Sequence, residues 1–340
     1  MTRILLTGGS GFIAAHVLDI LLQHGHSVVT TVRSQEKADK IRSAHSKFGK
    51  DKLDFSIVED IAQPGAFDKA VVSDPPFEAV IHTASPFHFN VTDVQKDLLD
   101  PAIIGTTGVL KSIKKSAPSV KRVVITSSFA SIVDGNKGSW PEHTYTEADW
   151  NPITEKEAIE NAANGYRASK TFAEKAAWDF VETEKPSFSL ATMCPPLVLG
   201  PIVHYLNSLD ALNTSNQRIR DTIQGKQKDE YPAGAPYLFV DVRDLAELHV
   251  KAAEVEGAAN ERFFVLAGYF NGRTIVDAVR KNFPEYREGL PKEEGEGGGF
   301  PEGGVYKFDN GKSVKVLGAK YRTLEESVVD TVKSLKAVGA

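Results

Sequence analysis

The chain has 340 residues, 41% apolar and 25% charged, which excludes wholesale disorder and predicts one large domain or two modest ones. Forty basic against 45 acidic side chains leave a net charge of −5, excluding nucleic-acid binding driven by bulk charge. A single cysteine, Cys194, excludes an intramolecular disulfide and any multi-cysteine metal site, and it suits a reducing compartment.

From the N-terminus, the short apolar run Ile4–Leu6 turns glycine-rich too early for a signal peptide. No run approaches the ~18 apolar residues that cross a bilayer. The C-terminal Lys336-Ala-Val-Gly-Ala340 matches no lipidation or retention signal. The expectation is a cytoplasmic protein with no membrane partner.

Strand-like apolar runs follow at Arg3–Thr7, Ser27–Val32, Leu53–Val58, Ala79–Thr83, Arg122–Thr126 and Ser187–Met193. Their continuity suits parallel strands covered on both faces. Between the first two, Phe12–His24 repeats apolar residues at helical spacing and stops at Gly25, a C-cap. This rhythm predicts an α/β fold, a doubly wound parallel sheet of the Rossmann kind. After about residue 195 helical patterns at 208–224, 242–255, 273–283 and 323–336 are joined by irregular segments. They predict a smaller, mostly helical substrate-binding lobe. The expected division is 1–195 for the nucleotide-binding domain and 196–340 for the interleaved lobe, with about 236–268 crossing back to the sheet. Gly295–Gly304, with six glycines, is expected to be a mobile surface loop.

Thr7-Gly8-Gly9-Ser10-Gly11-Phe12-Ile13-Ala14 joins the first strand to the first helix. Gly8 permits a tight turn, Gly11 lets the backbone approach a pyrophosphate, and the amides of Phe12 and Ile13 point at the anion. Two decoys fail. Gly8–Phe12 lacks the last glycine of a nucleophile elbow, and Gly311-Lys312-Ser313 has Tyr306 where a phosphate loop needs glycine.

At the end of the second strand, where an NAD-binding chain places an acid, stands Arg33, followed a turn later by Lys37. Two cations there suit the 2′-phosphate of NADPH/NADP rather than NAD. Further on, Tyr166-Arg-Ala-Ser-Lys170 sets a phenol and an ammonium on one helical face. A tyrosine of pKa ~10 is useful near neutrality only if a cation favours its phenolate, and Lys170 is spaced to do so. Thr126-Ser127-Ser128 lies at a strand's C-terminal end, where ligands of open α/β sheets bind, and a serine there either holds a carbonyl oxygen or merely caps a helix.

Together with His82-Thr83-Ala84-Ser85-Pro86, Pro195-x-x-Val198-x-Gly200-Pro201, Ala173–Trp178 and Phe239–Asp244, these motifs resemble the extended short-chain dehydrogenases/reductases. Within them the chain is similar to the dihydroflavonol-4-reductase-like branch, most of all to yeast and fungal ketone, aldehyde and methylglyoxal reductases. The resemblance spans nearly the whole chain. It implies Ser128 rather than Ser127 as the catalytic serine, Tyr166 as proton donor and Lys170 as its modulator. It further implies that Asp60 and Ile61 lie at the adenine and that Thr83, Ala84 and Ser85 lie beside the cofactor. Pro195, Leu197 and Val198 would flank the nicotinamide, and Ser215 would reach the cofactor. Ile104 stands where many relatives carry asparagine, which argues against an asparagine-based proton relay.

His24 and His26 form a lone His-x-His, too little for a catalytic metal site, and no metal is expected. Phe87, Phe89, Phe129, Leu197 and Tyr205 are candidates for an apolar substrate wall, with core packing as the alternative for each. The resulting expectation is an NADPH-dependent carbonyl reductase acting on small ketones or aldehydes as a monomer or homodimer. Its rivals are a sugar-nucleotide epimerase or dehydratase of the same superfamily, and a non-catalytic NADP-binding regulatory protein.

Overall fold

The computed structural model describes residues 2–85, 91–203, 209 and 212–339. The first half runs β1 (Arg3–Thr7), α1 (Phe12–Gln23), β2 (Ser27–Val32), α2 (Gln35–Ala44), β3 (Leu53–Ile57), β4 (Ala79–His82), α3 (Asp100–Ser116) and β5 (Arg122–Thr126), strand and helix alternating except between β3 and β4. The chain continues through β6 (Thr144–Tyr145), α4 (Glu155–Ala158), α5 (Ala162–Glu184), β7 (Ser189–Cys194), β8 (Leu197–Leu199), α6 (Thr214–Ile223), β9 (Leu238–Asp241) and α7 (Val242–Glu254). Last come β10 (Glu261–Phe264), β11 (Gly268–Tyr269), α8 (Gly272–Asn282), β12 (Lys307–Phe308), α9 (Gly311–Leu317) and α10 (Leu324–Ala337).

Seven strands form one parallel sheet in the order β10-β7-β5-β4-β1-β2-β3. Successive side chains of a strand face opposite ways, so a run apolar at every position must be covered twice. Ile4, Leu6, Ile81 and Val124 pack on one face with Val17, Leu21 and Leu248. Leu5, Val80, Val123 and Ile125 pack on the other with Val109, Leu110 and Ala177. This double cover is why the strand boundaries read from apolar runs fall within two residues of those observed.

Helix α1 ends one residue earlier than expected: His24, not Gly25, is its C-cap, and Gly25 follows at φ +82°. The strand β10 returns late in the chain to pair with β7. Strands β8, β9 and β11 make a separate three-stranded sheet. A further apolar cluster joins Leu199 and Phe239 to Ile219, Ile275, Val276, Val328 and Val332 of α6, α8 and α10. The segment Gly295–Gly304 carries no regular structure, but it is tied down. Arg273 donates to the carbonyls of Glu293, Gly295 and Gly297, and its own amide donates to that of Gly298. The expected loop is thus anchored to α8. None of the helices among the described residues is long and apolar enough to cross a membrane.

Candidate active site

The turn after β1 is built by two glycines. Gly8 has φ +77°, and a Cβ there would sit 3.0 Å from the Cα of Ala84. Gly9 is tighter, since a Cβ would come within 2.1 Å of the Thr30 hydroxyl on β2. The sequence reading assigned Gly9 no role. Its packing depends on a strand 21 positions away, which no local pattern reports. Gly11 is the N-cap of α1 and offers no side-chain cap, which keeps this helix start suited to an anion. Phe12 and Ile13 occupy its first turn.

The ends of β1 and β4 are stitched together beside this turn. The Thr83 hydroxyl donates to the Thr7 carbonyl at 2.7 Å, and the Ala84 amide donates to the Thr7 hydroxyl at 3.1 Å. The Thr7 hydroxyl also bonds His82 Nδ1 at 2.8 Å. Burial, aided by the Lys170 charge, lowers His82 to about 3, so the ring is neutral.

Arg33 is exposed directly beyond β2, and Lys37 is exposed in the first turn of α2, whose N-cap is Ser34. Asp60 accepts from Gln63 and from the Ala62 amide. Those bonds, with the Arg33 charge, hold its carboxyl below the ordinary range. Ile61 is buried. It lines one pocket with Ala84, Ser85, Thr106, Ser127 and Lys170. The glycine turn, two exposed cations and this pocket fit a phosphorylated dinucleotide cofactor.

Helix α5 carries Tyr166 and Lys170. Asn161 caps it by accepting from the Asn164 amide, and its buried Ala168, Ala173 and Ala177 let it lie close to the sheet and α3. Tyr166 and Lys170 project from one face. Ser128 belongs to the turn after β5, where its hydroxyl accepts from the Ala130 amide at 3.1 Å and lies near enough to the Tyr166 phenol to act on its proton. Ser128 is therefore both a cap and a neighbour of Tyr166. Burial raises the phenol above its usual value, and the Ser128 hydroxyl opposes that rise. Lys170 donates to the Ser85 hydroxyl at 2.9 Å, and burial lowers its ammonium to about 8. Ile104 is 38% exposed on α3, while its neighbour Thr106 faces the pocket.

Pro195 accepts from the Phe129 amide at 2.8 Å, placing the Pro195–Pro201 segment against the Ser128 turn. Leu197 is partly buried, whereas Val198 joins the main core. Ser215 is half-buried in the first turn of α6, and the next residue, Asn216, donates to the Gly200 carbonyl at 2.8 Å. Phe129 requires a correction. Its ring is 3% exposed, stacked on Phe264 at 5.1 Å and flanked by Tyr145 and Tyr306, so it fills the core rather than a substrate wall. Phe87, Phe89 and Tyr205 lie outside the described residues.

Three further features were hidden or misleading in the sequence. The Phe239–Asp244 motif is a clamp: buried Asp241 caps α7, pairs with Arg243 and accepts from Ser327 of α10. His24 and His26 meet Glu254 at 3.4 and 2.8 Å, at the opposite end of the sheet from the glycine turn. Glu174, a turn beyond Lys170, is buried and paired with Arg262 of β10 at 2.8 Å. Its spacing from Tyr166 and Lys170 was a visible signal, but its partner was not.

A Rossmann-like sheet with a glycine turn and a serine–tyrosine–lysine cluster at its C-terminal edge defines a nucleotide-dependent enzyme scaffold. The chain belongs to the NAD dependent epimerase/dehydratase family, which matches it over residues 4–267. It is 47% identical to ketoreductase azaE of Aspergillus niger, covering 98% of this chain and 97% of that protein. The NADPH-dependent methylglyoxal reductase GRE2 of Saccharomyces cerevisiae is 36% identical, with 98% and 97% covered. Among solved structures, Gre2 of Candida albicans in complex with NADPH superposes with a TM-score of 0.92 at 38% identity, covering 100% of both chains.

Proposed function

We propose that this protein is an NADPH-dependent carbonyl reductase that converts small ketones or aldehydes to alcohols. The observation that carries the reading is the Ser128 hydroxyl beside the Tyr166 phenol, with Lys170 one turn away on α5 and bonded to Ser85. The relatives named as a ketoreductase and an NADPH-dependent methylglyoxal reductase support it.

When bound, NADPH supplies a hydride to the carbonyl carbon. Tyr166 gives its proton to the carbonyl oxygen, and a phenol kept neutral by burial is in the right state to donate it. Ser128 and Tyr166 together hydrogen-bond the oxygen as negative charge develops there. Acid catalysis of this kind contributes ~10²–10⁴-fold. Lys170 holds the nicotinamide ribose and eases proton loss from the phenol by its charge. Gly8, Gly11, Phe12 and Ile13 hold the pyrophosphate, and Arg33 and Lys37 the 2′-phosphate. Asp60 and Ile61 border the adenine, while Thr83, Ala84 and Ser85 run beside the cofactor. Pro195, Leu197, Val198 and Ser215 enclose its nicotinamide half, with Leu197 toward the substrate.

In this reading residues 1–195 hold the cofactor and 196–340 form the interleaved substrate lobe, with β10 lent to the large sheet. The protein acts in the cytoplasm, as a monomer or homodimer, and its one thiol, Cys194, is buried and raised to about 12, unsuited to redox chemistry.

Net NADPH oxidation against a panel of diketones, ketoesters and aryl ketones tests the assignment. One NADPH consumed per alcohol formed supports a reductase. An epimerase returns its hydride and shows no net consumption, and a regulatory NADP-binding protein shows no turnover.

A further inference from the structure

Glu174 sits on the helix face that bears Tyr166 and Lys170, and it is 2% exposed. Its carboxylate is filled by donors, and the four shortest bonds come from Ser127, Ser131, Thr192 and Arg262. Ser127 and Ser131 donate to Oε2 at 2.5 and 2.6 Å. Thr192 of β7 and Arg262 Nε of β10 donate to Oε1 at 2.7 and 2.8 Å. Arg262 also reaches the Ser131 hydroxyl at 3.0 Å and the carbonyls of Ser131, Glu147 and Asp149. Its guanidinium lies 3.7 Å from the centre of the Trp150 ring. Burial alone would push the Glu174 carboxyl up. The Arg262 charge and the bonds from Arg262, Ser127 and Ser131 outweigh that and hold it down.

A buried ion pair is weak evidence for stability, because desolvation offsets most of its attraction. What this one orders is specific. Ser127 and Ser131 bracket Ser128, and the Ser131 hydroxyl lies 2.6 Å from the Ser128 carbonyl. We infer that Glu174, held by Arg262, is a positioning residue that aims the Ser128 hydroxyl at Tyr166. One carboxylate ties the helix bearing the proton donor to the turn bearing its partner. The inference rests on the roles proposed above for Ser128 and Tyr166.

The test is a double-mutant cycle in the full-length enzyme with NADPH and a ketone. Glu174→Gln keeps the side-chain size but replaces an acceptor with a donor facing Arg262 and the serines. Its kcat falls roughly 10–100-fold, the scale of a displacement near 1 Å at a reacting group. The NADPH dissociation constant shifts far less than kcat, since the Glu174 carboxylate is taken up by Ser127, Ser131, Thr192 and Arg262. In a Ser128→Ala background the same substitution costs no more than about twofold further, because residues acting as one unit are not additive. Losses that multiply in the double variant overturn the inference and leave Ser128 in its role. Wild-type turnover by Ser128→Ala overturns the role itself and the inference with it. If Glu174→Gln does not fold, Ser127→Ala/Ser131→Ala cuts the same link while leaving Glu174 paired with Arg262. The cycle with Ser128→Ala is then read in the same way.

Discussion

The Lys170 ammonium donates to the Ser85 hydroxyl at 2.9 Å, joining α5 to the segment after β4. Burial has lowered this ammonium to about 8, well below an exposed lysine. The charged form exists below that pH and is lost as pH rises through it. In the role proposed for Lys170, NADPH binding therefore weakens on the alkaline side with a midpoint near 8. Tyr166, raised by burial, does not titrate in that range. Dissociation constants measured from pH 6 to 9.5 check this, and Lys170→Ala flattens the profile at a weakened level.

Arg33 stands exposed where β2 ends, a position at which a guanidinium can grip a phosphate that NADH lacks. Arg33→Asp weakens NADPH by roughly 1.5–3 kcal/mol for each charge-assisted bond removed. NADH affinity changes little or improves. Titration of both cofactors into both variants measures the ratio, and an equal loss for the two would make Arg33 merely structural.

Much of this architecture was legible because the sheet is covered on both faces. Ile4, Leu5 and Leu6 can all be apolar only in a doubly covered strand, and glycines mark where β1 and α1 turn. Tyr166 and Lys170 were legible because a helix converts a spacing of four into a shared face. Arg262 was not, because it meets Glu174 across 88 residues through the pairing of β10 with β7. Phe129 shows the limit of composition. An aromatic ring after a strand end fits a substrate wall and a core equally well, and only the rings of Phe264, Tyr145 and Tyr306 around it decide between them.

That correction changes what substitution should do. Phe129→Ala empties a filled site and costs ~3–5 kcal/mol of stability. Leu197, partly buried on the segment packed against the Ser128 turn, behaves otherwise. Leu197→Ala shifts the preference between bulky and small ketones, or the alcohol enantiomer ratio, by a hydrophobic increment of ~1–3 kcal/mol. Thermal melts beside chiral chromatography separate the two behaviours. An unchanged melting point for Phe129→Ala, or an unchanged product ratio for Leu197→Ala, contradicts the assignment of that residue.

The proton-donor role proposed for Tyr166 is the centre of the mechanism, and Tyr166→Phe addresses it with the least disturbance. The substitution keeps the half-buried ring and removes only the hydroxyl beside Ser128. Turnover with NADPH and a reducible ketone should fall by about 10²–10⁴-fold, the range supplied by a positioned acid. NADPH affinity and melting temperature should stay near wild type. Near-normal turnover by this variant would contradict the account, because the proton would then come from another group.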